Sequence, residues 1–137
     1  MSFEQTHRGL LDTSVFIARE QSRPLAGLPR HIALSVITIG ELQVGVLNAT
    51  DDSIRARRAQ TLALARNADP IPITEAVMIT WARLVADCRA ARVHRTVRLT
   101  DALIAATAIE HGLPVITQDA DYDQISHAHP ALQVVKV

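Results

Sequence analysis

Apolar residues in this chain fall in short runs set between stretches of helical spacing. "GLLDTSVFIA" opens on an apolar run that predicts a strand ending at Asp12, followed at once by a helix start with Thr13 or Ser14 as its cap. Residues 21–30, with two prolines and a glycine, predict a loop. "HIALS" (31–35) is a second short strand, and a helix follows from about Val36 to Leu47, apolar at Val36, Ile37, Ile39, Leu42 and Val46. Residues 51–68 form a polar, alanine-rich helix with a modest apolar side at Ile54, Leu62 and Leu64. "PIPI" (70–73) is a third strand candidate, and Thr74 can cap a helix running to about Ala91. That helix carries Val77, Met78, Trp81, Leu84, Val85 and Cys88, close to an i, i+3, i+4, i+7 pattern. "HRTVRL" is a loop, and 100–112 is a helix apolar nearly all round, stopped by Gly112 and Pro114. "PVIT" makes a fourth strand and "LQVVKV" a fifth, whose Lys136 suits an exposed edge.

Short apolar strands alternating with helices predict a parallel sheet covered on both faces. In such a sheet the functional crevice lies at the carboxyl ends of the strands. A length of 137 residues fits one domain (1–137), and 48% apolar with 20% charged residues is a globular balance. No apolar run approaches the roughly 18 residues of a membrane span. The start "MSFEQTHRG" lacks the apolar centre of a signal peptide, so the expected location is cytoplasmic. The single cysteine, Cys88, excludes an internal disulfide and a cysteine-based zinc ribbon.

Net charge is zero, so nothing marks the chain as a generally basic nucleic-acid binder. The distribution is more telling. Every basic residue but Lys136 is arginine, and Arg83, Arg89, Arg92, Arg95 and Arg98 crowd a stretch whose one acid is Asp87. Such a run is most simply a solvated face, yet the planar guanidinium also suits phosphate.

The carboxylates fall where the topology makes them interesting. Asp12 ends the first strand and Asp119 lies just past the fourth. Glu41 sits in the helix after the second strand, and Asp101 opens the apolar helix. Each has a plain structural role available. Asp12 and Asp101 can begin helices, the latter beside a capping Thr100. Glu41 can close a capping box with Thr38, and Asp119 and Asp121 can cap a turn. If the four acids converge, however, they repel one another and call for a hard cation with oxygen ligands, magnesium or manganese. The alternating Asp119, Asp121 and Asp123 are not a calcium loop, because its sixth and twelfth positions are Gln124 and Pro130 in place of glycine and glutamate.

Taken in order, "LLDTSVFI", "SVITIGELQVGV", "TDALIAATAIEHGLPVITQDADY" and the final strand resemble the PIN-domain ribonucleases, and among them the VapC-type toxins of type II toxin–antitoxin modules. The resemblance covers essentially the whole chain. It implies a three-layer α/β/α sandwich with a central, mostly parallel sheet, and an endoribonuclease dependent on Mg2+ or Mn2+. Its catalytic acids carry over to Asp12, Glu41, Asp101 and Asp119. Asp12, Asp101 and Asp119 would hold the metal with help from Asp121. Thr13, Ser14 and Thr117 match small polar residues that support those acids. Asp123 matches nothing and is expected at the surface. Tyr122 stands where the family more often has phenylalanine. The resemblance also implies a homodimer and a cognate antitoxin whose C-terminal segment fills the site. The helices at 36–49 and 74–91, richer in apolar residues than one sheet needs, agree with such contacts.

Within that reading Arg95 and Arg98 would rim the acidic pocket and hold the RNA backbone. Aromatics are few (Phe3, Phe16, Trp81 and Tyr122), so base stacking is expected to be limited, and Trp81 fits the core. The histidines form no H-x-x-x-H pair and read as incidental, His94 inside the arginine run excepted. The rival reading is a catalytically silent PIN-like module that binds RNA or protein, and its mark would be a missing acid. A haloacid-dehalogenase-like phosphatase would need an aspartate where Ser14 stands, and a receiver domain would need its lysine at a strand end, whereas Lys136 lies inside the last strand.

Overall fold

The computed structural model describes residues 7–137, so Phe3 and the opening residues lie outside the description. Four strands form one sheet: β1 (Arg8–Leu11), β2 (His31–Ala33), β3 (Val115–Thr117) and β4 (Val134–Lys136), in the order β2-β1-β3-β4. Every pairing is parallel, with Leu10 opposite Val115 and Leu11 opposite Ile116 at the centre. Among the described residues six helices surround it: α1 (Thr13–Glu20), α2 (Val36–Leu47), α3 (Asp52–Arg66), α4 (Glu75–Ala90), α5 (Leu99–Glu110) and α6 (Asp121–Ala128).

Strand alternation divides the core in two. Leu10 and Val115 face one layer, packing with Leu84 and Cys88 of α4, Ala102, Ile104, Ala105 and Ala108 of α5, and Tyr122 and Ile125 of α6. Leu11 and Ile116 face the other, with Val15 and Phe16 of α1, Leu42 of α2, and Leu62 and Ala65 of α3. The result is the expected three-layer α/β/α sandwich. Helix α5 lies deepest, with all seven residues at 101, 102 and 104–108 buried. Gly112, at φ +66, ends it in the left-handed conformation that only glycine adopts without cost. Gly9 is needed for another reason: a Cβ there would stand 2.5 Å from Ile116 Cγ1.

Three expectations are corrected. The strand expected at 70–73 is a single bridge between Ser35 and Ile71. Pro70 and Pro72 have no N–H to give on either side of Ile71, whose own N–H bonds Leu34 O at 2.8 Å. Residues 121–128, where Asp119 and Asp121 were open to capping a turn, form a helix with two buried side chains, Tyr122 and Ile125. Neither Thr13 nor Ser14 caps α1, and Thr100 does not cap α5. The cap residues are Asp12 and Arg98, and neither side chain accepts from a backbone N–H of its helix. The final strand is an edge, as expected, and Lys136 on it pairs with Asp123 at the surface. Among the described residues no helix is long and apolar enough to cross a membrane.

Candidate active site

The pairing of β1 with β3 brings the ends of two distant segments together. Asp12, 2% exposed, follows β1. Its Oδ1 accepts from Ser14 Oγ at 2.6 Å and its Oδ2 from Thr117 Oγ1 at 2.9 Å. Those hydroxyls are themselves held by the backbone after β3: Gln118 N donates to Ser14 Oγ at 3.0 Å, and Asp119 N to Thr117 Oγ1 at 2.9 Å. Each hydroxyl therefore spends its proton on Asp12 while accepting from the turn that carries Asp119. Ser14 and Thr117 thus hold the two oxygens of the Asp12 carboxylate, and Ser14 does not cap α1.

Glu41 faces the crevice from α2. Thr13 Oγ1 donates to its Oε1 at 2.6 Å, and Thr13 Oγ1 also lies 3.0 Å from Thr38 Oγ1. The capping-box alternative for Glu41 is excluded, because Ser35 is the N-cap and accepts from Ile37 N at 3.0 Å. A cavity of about 230 Å³ opens beside Glu41 between α1, α2 and α3, reaching Gln21, Asn48 and Arg58.

Asp101 occupies the first turn of α5 yet is buried, so it is no ordinary solvated helix-start acid. Tyr122, fully buried, points its hydroxyl at Asp101 Oδ1 across 3.4 Å. Burial pushes the Asp101 carboxyl up to about 6, Glu41, Asp121 and Asp119 add to the rise, and Arg98 opposes it. Asp12 is likewise pushed up to about 6, chiefly by burial, with Asp119 and Asp101 contributing and the Ser14 and Thr117 bonds working against the shift. Burial and the charges of Asp12, Asp101 and Glu41 hold the Tyr122 phenol well above its usual range, so it stays a neutral donor. Asp119 is exposed and Asp121 half-buried at the mouth. Asp123 points away to Lys136, as expected of a surface residue.

Asp12, Glu41, Asp101 and Asp119 come from four elements; the charges of Glu41 and Asp119 reach Asp101, and those of Asp119 and Asp101 reach Asp12. Among the described residues no three of them stand as a ready-made metal cage. Their chemistry still fits magnesium. That ion keeps most of its waters and asks for only one or two carboxylates directly, and a divalent charge would offset the repulsion among these acids.

Arg98 reaches the site through its effect on Asp101, whereas exposed Arg95 lies in the turn between α4 and α5. Two further residues join the site. Thr38 was visible only as the first member of a Thr-x-x-Glu spacing, which also spells a capping box. Tyr122 was visible only as a departure from phenylalanine.

Comparison with known proteins finds relatives over most of the chain. Residues 9–128 match the PIN domain family. Over 100 residues, 73% of this chain and 89% of the relative, the sequence is 72% identical to Ribonuclease VapC8 of Mycobacterium tuberculosis. It is 42% identical over 132 residues to Ribonuclease VapC4 of the same species, covering 95% of this chain and 97% of that one. The crystal structure of VapBC-5, a member of the VapBC family of toxin-antitoxin systems from M. tuberculosis, aligns with TM-score 0.84 at 37% identity, covering 96% of this chain and 99% of that one.

Proposed function

From the premise that this chain belongs to the PIN-domain family, as a VapC-type ribonuclease, we propose that Asp12, Glu41, Asp101 and Asp119 form the centre of a Mg2+-dependent endoribonuclease, with Mn2+ an acceptable substitute. The enzyme is the toxin of a toxin–antitoxin module, and its substrate is RNA. The observation that carries the assignment is the convergence of four acids from β1, α2, α5 and the end of β3, with two of them buried and pushed up to about 6.

Asp12, Asp101 and Asp119 would hold the ion, directly or through its waters, with Asp121 helping at the mouth. When bound, the ion supplies charge for the phosphate oxygens and lowers the pKa of a coordinated water. The chain's own residues do the rest. Ser14 and Thr117 fix the Asp12 carboxylate by donating to both its oxygens. Thr13 fixes one oxygen of Glu41 and leaves Oε2 to face the attacking water. Arg98, beside Asp101, and Arg95 provide cationic contacts for the RNA backbone next to the scissile phosphate. Hydrolysis then leaves a 5′-phosphate and a 3′-hydroxyl.

The partners follow from the same reading. A cognate antitoxin masks the site, and a second copy of the chain packs on the exposed apolar residues of α2 and α4, among them Val44, Leu47 and Ile79. The working location is the cytoplasm, where RNA and antitoxin are made.

The test is cleavage of RNA in Mg2+, compared with EDTA and with Asp12→Asn and Asp101→Asn. Loss of cleavage in EDTA and in both folded variants is expected. Cleavage that persists in either variant at the wild-type rate would remove the assignment.

A further inference from the structure

We infer that Thr38 is a positioning residue for the cleavage reaction, acting on Glu41 through the hydroxyl of Thr13; this rests on the acid site proposed above. Proton counting sets the direction of the bonds. Thr13 Oγ1 has a single proton, and it goes to Glu41 Oε1 at 2.6 Å. The 3.0 Å contact between Thr13 Oγ1 and Thr38 Oγ1 can then be a hydrogen bond in one sense only, with Thr38 donating. Both protons point the same way, toward the carboxylate. A hydroxyl that accepts a hydrogen bond becomes a better donor, so Thr38 strengthens the bond from Thr13 to Glu41.

Location supports the assignment. Thr38 is 0% exposed, in the first turn of α2, one helical turn before Glu41. A buried threonine that served only packing would turn its hydroxyl to a carbonyl of its own helix, as Thr107 does toward Leu103 O at 2.8 Å. Thr38 instead reaches across to α1. The contact ties the start of α1, which carries Thr13, to α2, which carries Glu41, and sets their spacing at the crevice. A chain of two hydroxyls also fixes the rotamer of Glu41 more tightly than one, because Thr13 can no longer swing to a competing acceptor.

The experiment is steady-state RNA cleavage in Mg2+ by Thr38→Val, Thr38→Ser, Thr13→Val and the double variant Thr13→Val/Thr38→Val, each checked for folding by thermal unfolding. Valine keeps the shape of threonine and removes the donor. Thr38→Val is expected to lower kcat roughly five-fold, the size of one net hydrogen bond, with KM within about two-fold because the binding rim is untouched. Thr38→Ser restores the donor and returns kcat to within about two-fold of wild type. Thr13→Val costs roughly ten-fold or more, as loss of a support to a metal-site carboxylate does. The double variant is expected to be no worse than Thr13→Val, since Thr38 then has nothing to act through.

Full activity in Thr38→Val, equal loss in Thr38→Val and Thr38→Ser, or additive losses in the double variant would each overturn the relay. If Thr38→Val does not fold, Thr38→Ala takes its place, and wild-type kcat in that variant overturns the relay equally. Wild-type chain that fails to cleave RNA in Mg2+ overturns the nuclease reading itself, a result distinct from any of these.

Discussion

Replacing Asp12 with asparagine should stabilise the metal-free chain while ending cleavage. The buried carboxyl titrates at about 6 against 3.8 for a free aspartate, which amounts to about 3 kcal/mol between its charged and neutral forms. The sign follows from which state holds the proton. Below about pH 4 the side chain is neutral in both folded and unfolded chains and imposes no penalty. As pH rises from about 4 to 6 the unfolded chain loses its proton first, and stability is lost until the folded carboxyl also ionises. Above that range the full penalty stands.

Asparagine keeps the volume and carries no charge. Its amide must donate to one of Ser14 Oγ and Thr117 Oγ1, which now donate to the carboxylate. Reversing one such bond costs about 1 kcal/mol. The net gain is therefore about 2 kcal/mol at pH 8, or roughly 7 °C in Tm for a domain of this size. The assay is thermal unfolding by circular dichroism in EDTA at pH 4.5, 6 and 8, for wild type and Asp12→Asn. The gap should be largest at pH 8 and shrink toward pH 4.5. Adding Mg2+ at pH 8 should raise wild type more than the variant and narrow the gap. An Asp12→Asn chain that melts at or below the wild-type temperature at pH 8, or a gap independent of pH, would refute the account of Asp12 as a destabilising buried charge.

Arg95→Ala/Arg98→Ala should weaken binding of single-stranded RNA to a nuclease-silent Asp101→Asn chain and flatten log K against log salt by about 1.4, roughly 0.7 for each phosphate no longer neutralised; an unchanged slope places the RNA elsewhere. Gly9→Ala should destabilise by about 1–3 kcal/mol in urea unfolding, because the new methyl meets Ile116 at 2.5 Å in the middle of the sheet. Tyr122→Phe, which removes the 3.4 Å contact to Asp101 and keeps the ring, should lower kcat by no more than about five-fold; a larger loss would make the phenol a principal support of Asp101.

Local pattern carried most of the architecture. Helix α2 runs over the residues its apolar spacing predicts, and Thr74 caps α4 by accepting from Val77 N. The strand at 70–73 failed because apolar content says nothing about donors, and Pro70 and Pro72 leave Ile71 to make a lone bridge. The acids were legible as a set, since each sits at the strand-end side of its unit. Their supports were legible only by resemblance: that Ser14 and Thr117 share Asp12 depends on two segments more than a hundred residues apart. Thr38 was hidden by an ambiguity of spacing. A threonine three residues before a glutamate on a helix describes both a cap and a side chain reaching sideways, and only the position of Ser35 decides between them.

The parallel pairing of β1 with β3 has a consequence for the timing of activity. Asp12 emerges more than a hundred residues before Thr117 and Asp119, and β3 must slot in beside β1 before Thr117 can bond Asp12. Such long-range closure is slow compared with forming the helices that precede it. A chain that has not yet delivered residues 115–119 lacks Asp119 and the Thr117 hydroxyl that holds Asp12, so its acid site stays incomplete until β3 pairs with β1.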